Sequence, residues 1–407
     1  MVSLADGESS KAADEELFSE DIYRHAMIDF VQDERVKAHL DVPELHADIR
    51  IDWTAINNTL PVKAALVAVV RNADLYTIRS TIRTIEDRWN HQYNYPWVFL
   101  SDQPLSQEFK HYTQMLSGAP MYYGLIDQRE WSYPHWIDTR FAEMEMGRYA
   151  EMGLFRGGSL DFRLKSRFHT GFIQYHSLLR DLEFYWRVEP ESKYLCDINF
   201  DPFLFMKENN KKFAFVINDG ERMENIPSLW EATRNFIMSH WSFVVPWEKS
   251  IQPLVTNKGW QYFNGCLFWN NFAIYSLDYL RSPSYRTFFE YLDKKGGFFY
   301  ERWSDVTVQT IMASLFLKRE ELHFFNEIGF EYWQATHCPI QPEYRQQCVC
   351  SPEQTTDTHS CTRFFLSLTN SSVAQDVKGL YQRRKQREKE EQDLKRLHEK
   401  ETKGGSH

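Results

Sequence analysis

The run Ala64-Ala65-Leu66-Val67-Ala68-Val69-Val70 is continuously apolar, with no polar residue at alternate positions. A strand with one wet face alternates. An unbroken run suits a strand buried on both faces of a mostly parallel sheet with helices on each side. Next come Arg71-Asn72-Ala73-Asp74, then Leu75, Ile78, Ile82, Ile85 and Trp89 at helical spacing, then a second strand at Trp97-Val98-Phe99-Leu100 ending on Ser101-Asp102. This is a βαβ opening, the start of an α/β fold whose ligands collect at the carboxyl ends of the strands. No G-x-G-x-x-G lies near Arg71 and no P-loop is present. A nucleotide bound here has its phosphates held by something other than a glycine cradle.

The chain has 407 residues, with 47 Lys and Arg against 57 Asp and Glu, a net charge of -10. That balance argues against nucleic acid, whose binding needs a basic surface to displace phosphate counterions. Residues 1–60 read as a polar lead-in with a helix from Glu15 to about Lys37. Residues 61–366 read as one large domain, with 336–364 a cysteine-rich closing segment, and residues 373–407 as a charged, solvated helical tail. No apolar run is long enough to cross a membrane, and Met1 to Asp21 has no signal-peptide core. Taken literally, this describes a soluble, cytosolic chain. The six cysteines disagree. Cys338, Cys348, Cys350 and Cys361 crowd into a loop-rich segment of the kind that needs staples, and with Cys196 and Cys266 they allow 15 disulfide connectivities. Zinc is the competing reading, although Cys348-Val349-Cys350 has no C-x2-C partner and only His337 nearby. Sequons at Asn57 and Asn370 are compatible with a lumen.

Without a glycine loop, a diphosphate is best held through a divalent metal on a carboxylate at a strand end. Glu143-Met144-Glu145 lies in a helical stretch and reads as a solvated face. Glu189-Pro190-Glu191 directly follows the strand-like Phe184-Tyr185-Trp186-Arg187-Val188 and is the better metal site; a surface turn is the bland alternative. Asp197 to Asp201 has the look of half a calcium loop, but Pro202 stands where that loop needs glycine, so it reads as a turn pinned by Cys196. In Gly296-Gly297-Phe298-Phe299-Tyr300-Glu301-Arg302-Trp303-Ser304-Asp305, paired glycines allow close backbone approach to a ligand, and rings beside acids suit a sugar; a buried turn is the alternative. Trp131, Pro134, Trp136 and Asp138 read as an acceptor wall or a packed loop. No H-x3-H pair and no G-x-S-x-G elbow is present.

The motifs VKAALVAVVRNADL, YPWVFLSD, GLIDQREWSYPHWID, FYWRVEPESKYLCDINFDPFLFM, GGFFYERWSDVTVQT and HFFNEIGF occur in an order that resembles the fungal α-1,2-mannosyltransferases of glycosyltransferase family 15, over roughly residues 61–364. The resemblance implies a GT-A-type, Rossmann-like mixed sheet flanked by helices. It also implies GDP-mannose as donor, Mn²⁺ as metal, retention of configuration at a mannosylated glycan acceptor, and a Golgi location within cell-wall mannan synthesis. Carried over by position, Glu189 is the metal acid. Arg71, Phe162, Arg163 and Tyr332 lie at the donor, Trp303, Arg302 and Trp136 at the acceptor, and Asp305 with Glu301 at the sugars. Three positions depart from the family pattern. Ala273 replaces the glutamate that is the family's candidate nucleophile, Tyr332 replaces a histidine near the metal, and Phe162 replaces a donor-site tyrosine. Two readings follow. One is a retaining transferase using a front-face route, in which the departing diphosphate deprotonates the acceptor. The other is a catalytically silent relative acting as a binding protein.

Overall fold

The computed structural model describes residues 49–54, 56 and 60–404. The expected Glu15–Lys37 helix, most of the polar lead-in and the Asn57 sequon lie outside the described residues. A seven-stranded mixed sheet forms the centre, in the order β10-β6-β9-β4-β1-β2-β3. Its strands are β1 (Ala64–Val69), β2 (Trp97–Ser101), β3 (Met121–Leu125), β4 (Phe184–Val188), β6 (Phe213–Phe215), β9 (Phe272–Ser276) and β10 (Leu322–Phe324). Strand β1 runs parallel to β2 and β4, while β9 is antiparallel to both β4 and β6. A small sheet joins β5 (Lys193–Tyr194), β11 (Phe330–Tyr332) and β12 (Ala335–His337), and a ribbon joins β7 (Asn218–Gly220) to β8 (Cys266–Phe268).

The apolar run does what its lack of alternation implies. Ala65, Val67 and Val69 enter one core, and Ala64, Leu66 and Ala68 enter another on the opposite face. The Leu75–Ile85 helix buries Leu75, Ile78, Ile82 and Ile85 in the second core, beside the fully buried Trp89. Trp186 of β4 packs there too, 4.9 Å from Trp89 and 5.0 Å from Phe272 by ring centroids. Truncating any of these rings to alanine would cost about 3–5 kcal/mol.

The first core carries the helices beneath the site. Ser159 caps the Leu160–Gly171 helix by accepting from the Phe162 amide, and Ser304 caps the Asp305–Phe316 helix by accepting from Thr307. The paired glycines serve packing, which corrects the ligand-approach reading. Gly296 ends the Pro283–Lys295 helix at φ 75°, and a Cβ on Gly297 would lie 2.1 Å from the Trp303 ring. The six cysteines form three disulfides, Cys196–Cys348, Cys266–Cys361 and Cys338–Cys350. Asp201 caps the Pro202–Glu208 helix just after Cys196, so that segment is a pinned turn, as read.

Candidate active site

A cleft of about 340 Å³ opens at the carboxyl end of β4. Arg187, on the face of β4 that carries Tyr185, is buried there between two acids. Its Nε donates to Glu189 Oε1 at 2.9 Å, and its guanidinium also pairs with Asp305 Oδ2. Lys165, one turn inside the Leu160–Gly171 helix, donates to Glu189 Oε2 at 2.8 Å. Asn270, in the turn between β8 and β9, donates to Asp305 Oδ2 at 2.9 Å and to Gln309 at 3.0 Å. Both contacts to Asp305 fall on Oδ2, and Oδ1 makes no hydrogen bond to the described residues.

Burial works to raise the pKa of Glu189, but Lys165 and Arg187 outweigh it and hold the carboxyl at about 2. Arg187 is itself opposed by burial and held protonated by Asp305 and Glu189. His169 lies 4.0 Å from Glu189, and neither ring nitrogen has a hydrogen-bond partner among the described residues. Burial, with Arg187 and Lys165 nearby, pushes His169 well down, so it is neutral. Tyr332 is pushed up to about 12 by burial and by Glu189, so its hydroxyl keeps its proton.

The donor set fits a divalent cation shared with a ligand. Among the described residues no three acidic or histidine side chains converge; the one group of three comprises cysteines that the disulfides consume. Glu189 is an ionised carboxylate on the cleft wall, and its Oε2 is held by a single flexible ammonium that a divalent ion can displace. One or two protein carboxylates completed by phosphates and water is the usual supply for a nucleotide-bound cation.

The structure brings together Glu189, Asp305, Arg302, Phe162 and Tyr332 of the residues singled out from sequence. Phe162 lies beneath the Arg302 guanidinium, 4.4 Å from it, and Arg302 is fixed by donating to the Phe155 carbonyl at 2.7 Å. The five other assigned residues lie outside the lining of this cleft. Glu301 accepts from the Ser228 amide and from Trp303 Nε1 at 2.6 Å, so it braces a loop and does not line the cleft. Trp303 is buried to 1% exposure beneath Gly297. Trp136 donates to the Asp293 carbonyl at 3.1 Å, away from the cleft. Arg163 is buried, donating to the Gly157 and Glu301 carbonyls. Arg71 does stand at the end of β1, but Asp102 and Asp161 clamp its guanidinium at 2.7 and 2.6 Å, and it does not line this cleft.

Ala273 is fully buried in β9, directly opposite Arg187 in register. A carboxylate there would share the face of Arg187; in this chain that cation is satisfied by Asp305 and Glu189. Sequence reasoning missed Lys165, Asn270, Trp269 and Trp333. Trp269 and Asn270 stand just before Ala273, a position the sequence had singled out, whereas nothing local marks Lys165 or Trp333.

Fold and site together define an α/β enzyme-type cleft built for an anionic ligand and a cation at a strand end. The family described as Glycolipid 2-alpha-mannosyltransferase matches residues 31–370, and the chain belongs to that family. It is 41% identical over 334 residues to Glycolipid 2-alpha-mannosyltransferase 1 of Candida albicans, covering 81% of this chain and 76% of that one. It is 42% identical over 310 residues to Alpha-1,2 mannosyltransferase KTR1 of Saccharomyces cerevisiae, covering 75% and 78%. Among solved structures it resembles Core-mannan synthase A of Aspergillus fumigatus in its Mn/GDP form, with TM-score 0.69, 32% identity and coverage of 72% and 80%. It also resembles the S. cerevisiae mannosyltransferase Ktr4p in complex with GDP, with TM-score 0.73, 29% identity and coverage of 78% and 84%. The GT-A-type mixed sheet expected from sequence is the fold of these relatives.

Proposed function

We propose that the chain transfers mannose from GDP-mannose to a hydroxyl of a mannoside, with Mn²⁺ and with retention of configuration, in α-1,2 linkage. The carrying observation is the Lys165–Glu189–Arg187–Asp305 array on the wall of the cleft, in a fold whose solved relatives include a Mn/GDP form and a GDP complex. Glu189 would hold the cation, which supplies charge neutralisation for the departing diphosphate. Arg187 keeps Glu189 ionised and fixes its orientation. Arg302, stacked on Phe162, presents a cation to the same cleft. Asp305 is anchored through Oδ2, which leaves Oδ1 to accept a hydrogen bond from a sugar hydroxyl. With Ala273 in the family's nucleophile position, the front-face route fits this chain: a diphosphate oxygen takes the proton of the acceptor hydroxyl as the sugar–phosphate bond breaks. The relatives, which carry transferase names, give the catalytically silent alternative no support.

Under this proposal the acceptor is a mannosylated glycan and the setting is mannan assembly in the Golgi lumen. Three disulfides suit that oxidising compartment. No helix of the described residues is long and apolar enough to cross a membrane. The test is transfer from GDP-mannose to methyl α-mannoside in Mn²⁺. Glu189→Gln is expected to lower turnover by at least about 10²-fold. Equal turnover by both proteins would overturn the assignment.

A further inference from the structure

A second cavity, of about 550 Å³, adjoins the cleft and shares Asp219, Trp269 and Trp333 with it as a common wall. Its far side is the disulfide-stapled segment, with Gln354, Thr356 and Thr358, closed by Arg384 of the Ala374–Gly404 helix, which donates to Thr358 Oγ1 at 2.8 Å. The volume lies within the range of small-ligand sites. Two features distinguish it from an incidental gap. Trp333 is 58% exposed, carried at the tip of the two-residue turn between β11 and β12. It stands edge-on to Phe155 at 4.6 Å, at the junction of the two cavities. The side-chain amides of Gln334 and Gln354, which line only the second cavity, make no hydrogen bond to the described residues.

Exposed indole faces beside free amides, hydroxyls and a carboxylate are the chemistry that takes a neutral sugar: rings cover its C–H face, and the polar groups pair with its hydroxyls. We infer that this cavity is a subsite for the acceptor oligosaccharide, holding the sugar units that precede the mannose whose hydroxyl reacts. The chain thereby selects oligomannosides over a single mannoside. This rests on the transferase reading above.

The test is calorimetric titration of the full chain with α-linked mannotriose and with methyl α-mannoside, with GDP and Mn²⁺ titrated separately. Mannotriose is expected to bind about tenfold more tightly than the monosaccharide, and the double variant Gln334→Ala/Gln354→Ala, altered only at exposed positions, to lose most of that difference. Trp333→Ala is expected to weaken both sugars and to remove the change in tryptophan fluorescence on binding. Equal affinity for the two sugars, or a preference undiminished in the double variant, would overturn the subsite. If GDP binds while the sugar preference is absent, the subsite alone fails. If the preference is present and GDP does not bind, the subsite stands and the donor assignment fails.

Discussion

Glu189 has two cations on it before any ligand arrives, and they differ in kind. Arg187 is buried and also committed to Asp305, whereas Lys165 has a flexible stem and about a quarter of its side chain exposed. A divalent ion reaching Oε2 must displace the Lys165 ammonium. Lys165→Met is therefore expected to lower the Mn²⁺ concentration needed for half-maximal GDP binding, by roughly tenfold for about 1.4 kcal/mol of removed competition; an unchanged or higher requirement would show that Lys165 does not compete there. His337 makes a second residue-level case. Its Nδ1 faces Asp357 at 2.8 Å and its Nε2 faces the Asn326 carbonyl at 3.0 Å. Both partners accept, so the ring needs both protons. Burial opposes that charge, but Asp357 outweighs it and raises the histidine above its usual value. The sign follows: this contribution is full below about pH 6.5 and is lost as pH rises through the higher folded value. Wild type is expected to lose thermal stability from pH 6 to 8 by more than His337→Gln does, and parallel pH profiles would contradict the assignment. Neither pair was legible in the sequence. Lys165 and Glu189 are far apart in the chain on different elements, and His337 looked like a lone zinc candidate because its partner comes from the loop that the disulfides fold back.

Elements were legible where periodicity carries the information. The β1 run and the Leu75–Ile85 helix read directly because their patterns are those of a strand between two cores and a one-faced helix. The Glu189 position was legible for the same reason, since a buried strand ending in an acid turns that acid toward the ligand edge of the sheet. In the aromatic patch after Gly296 composition does not tell which ring faces inward, so the sugar-site and buried-turn readings could not be separated there. Trp303 and Glu301 brace each other, while Arg302 between them reaches the cleft. Trp333 was invisible for a different reason: its left-handed backbone is imposed by the β11–β12 hairpin, whose strands pair Tyr332 with Ala335.

At the scale of the whole molecule, the late cysteines tie the closing segment back to the body. Cys266–Cys361 links β8, next to Asn270, to the helix that begins at Ser360, and it closes a loop of 95 residues in sequence separation. In the chain-entropy account such a link is worth about 4–5 kcal/mol. Double replacement of Cys266 and Cys361 by serine is expected to lower the urea midpoint by a matching amount and to weaken GDP binding less than stability; no change in the midpoint would count against the disulfide. The account as a whole turns on Glu189 building a metal-dependent donor site despite Ala273, Tyr332 and Phe162. The most direct measurement is calorimetric titration of GDP into the full chain in Mn²⁺, repeated in EDTA and with Glu189→Ala. Binding in Mn²⁺ that is abolished by EDTA and by the substitution is the predicted result. No binding in either buffer, or binding indifferent to both metal and Glu189, would contradict it.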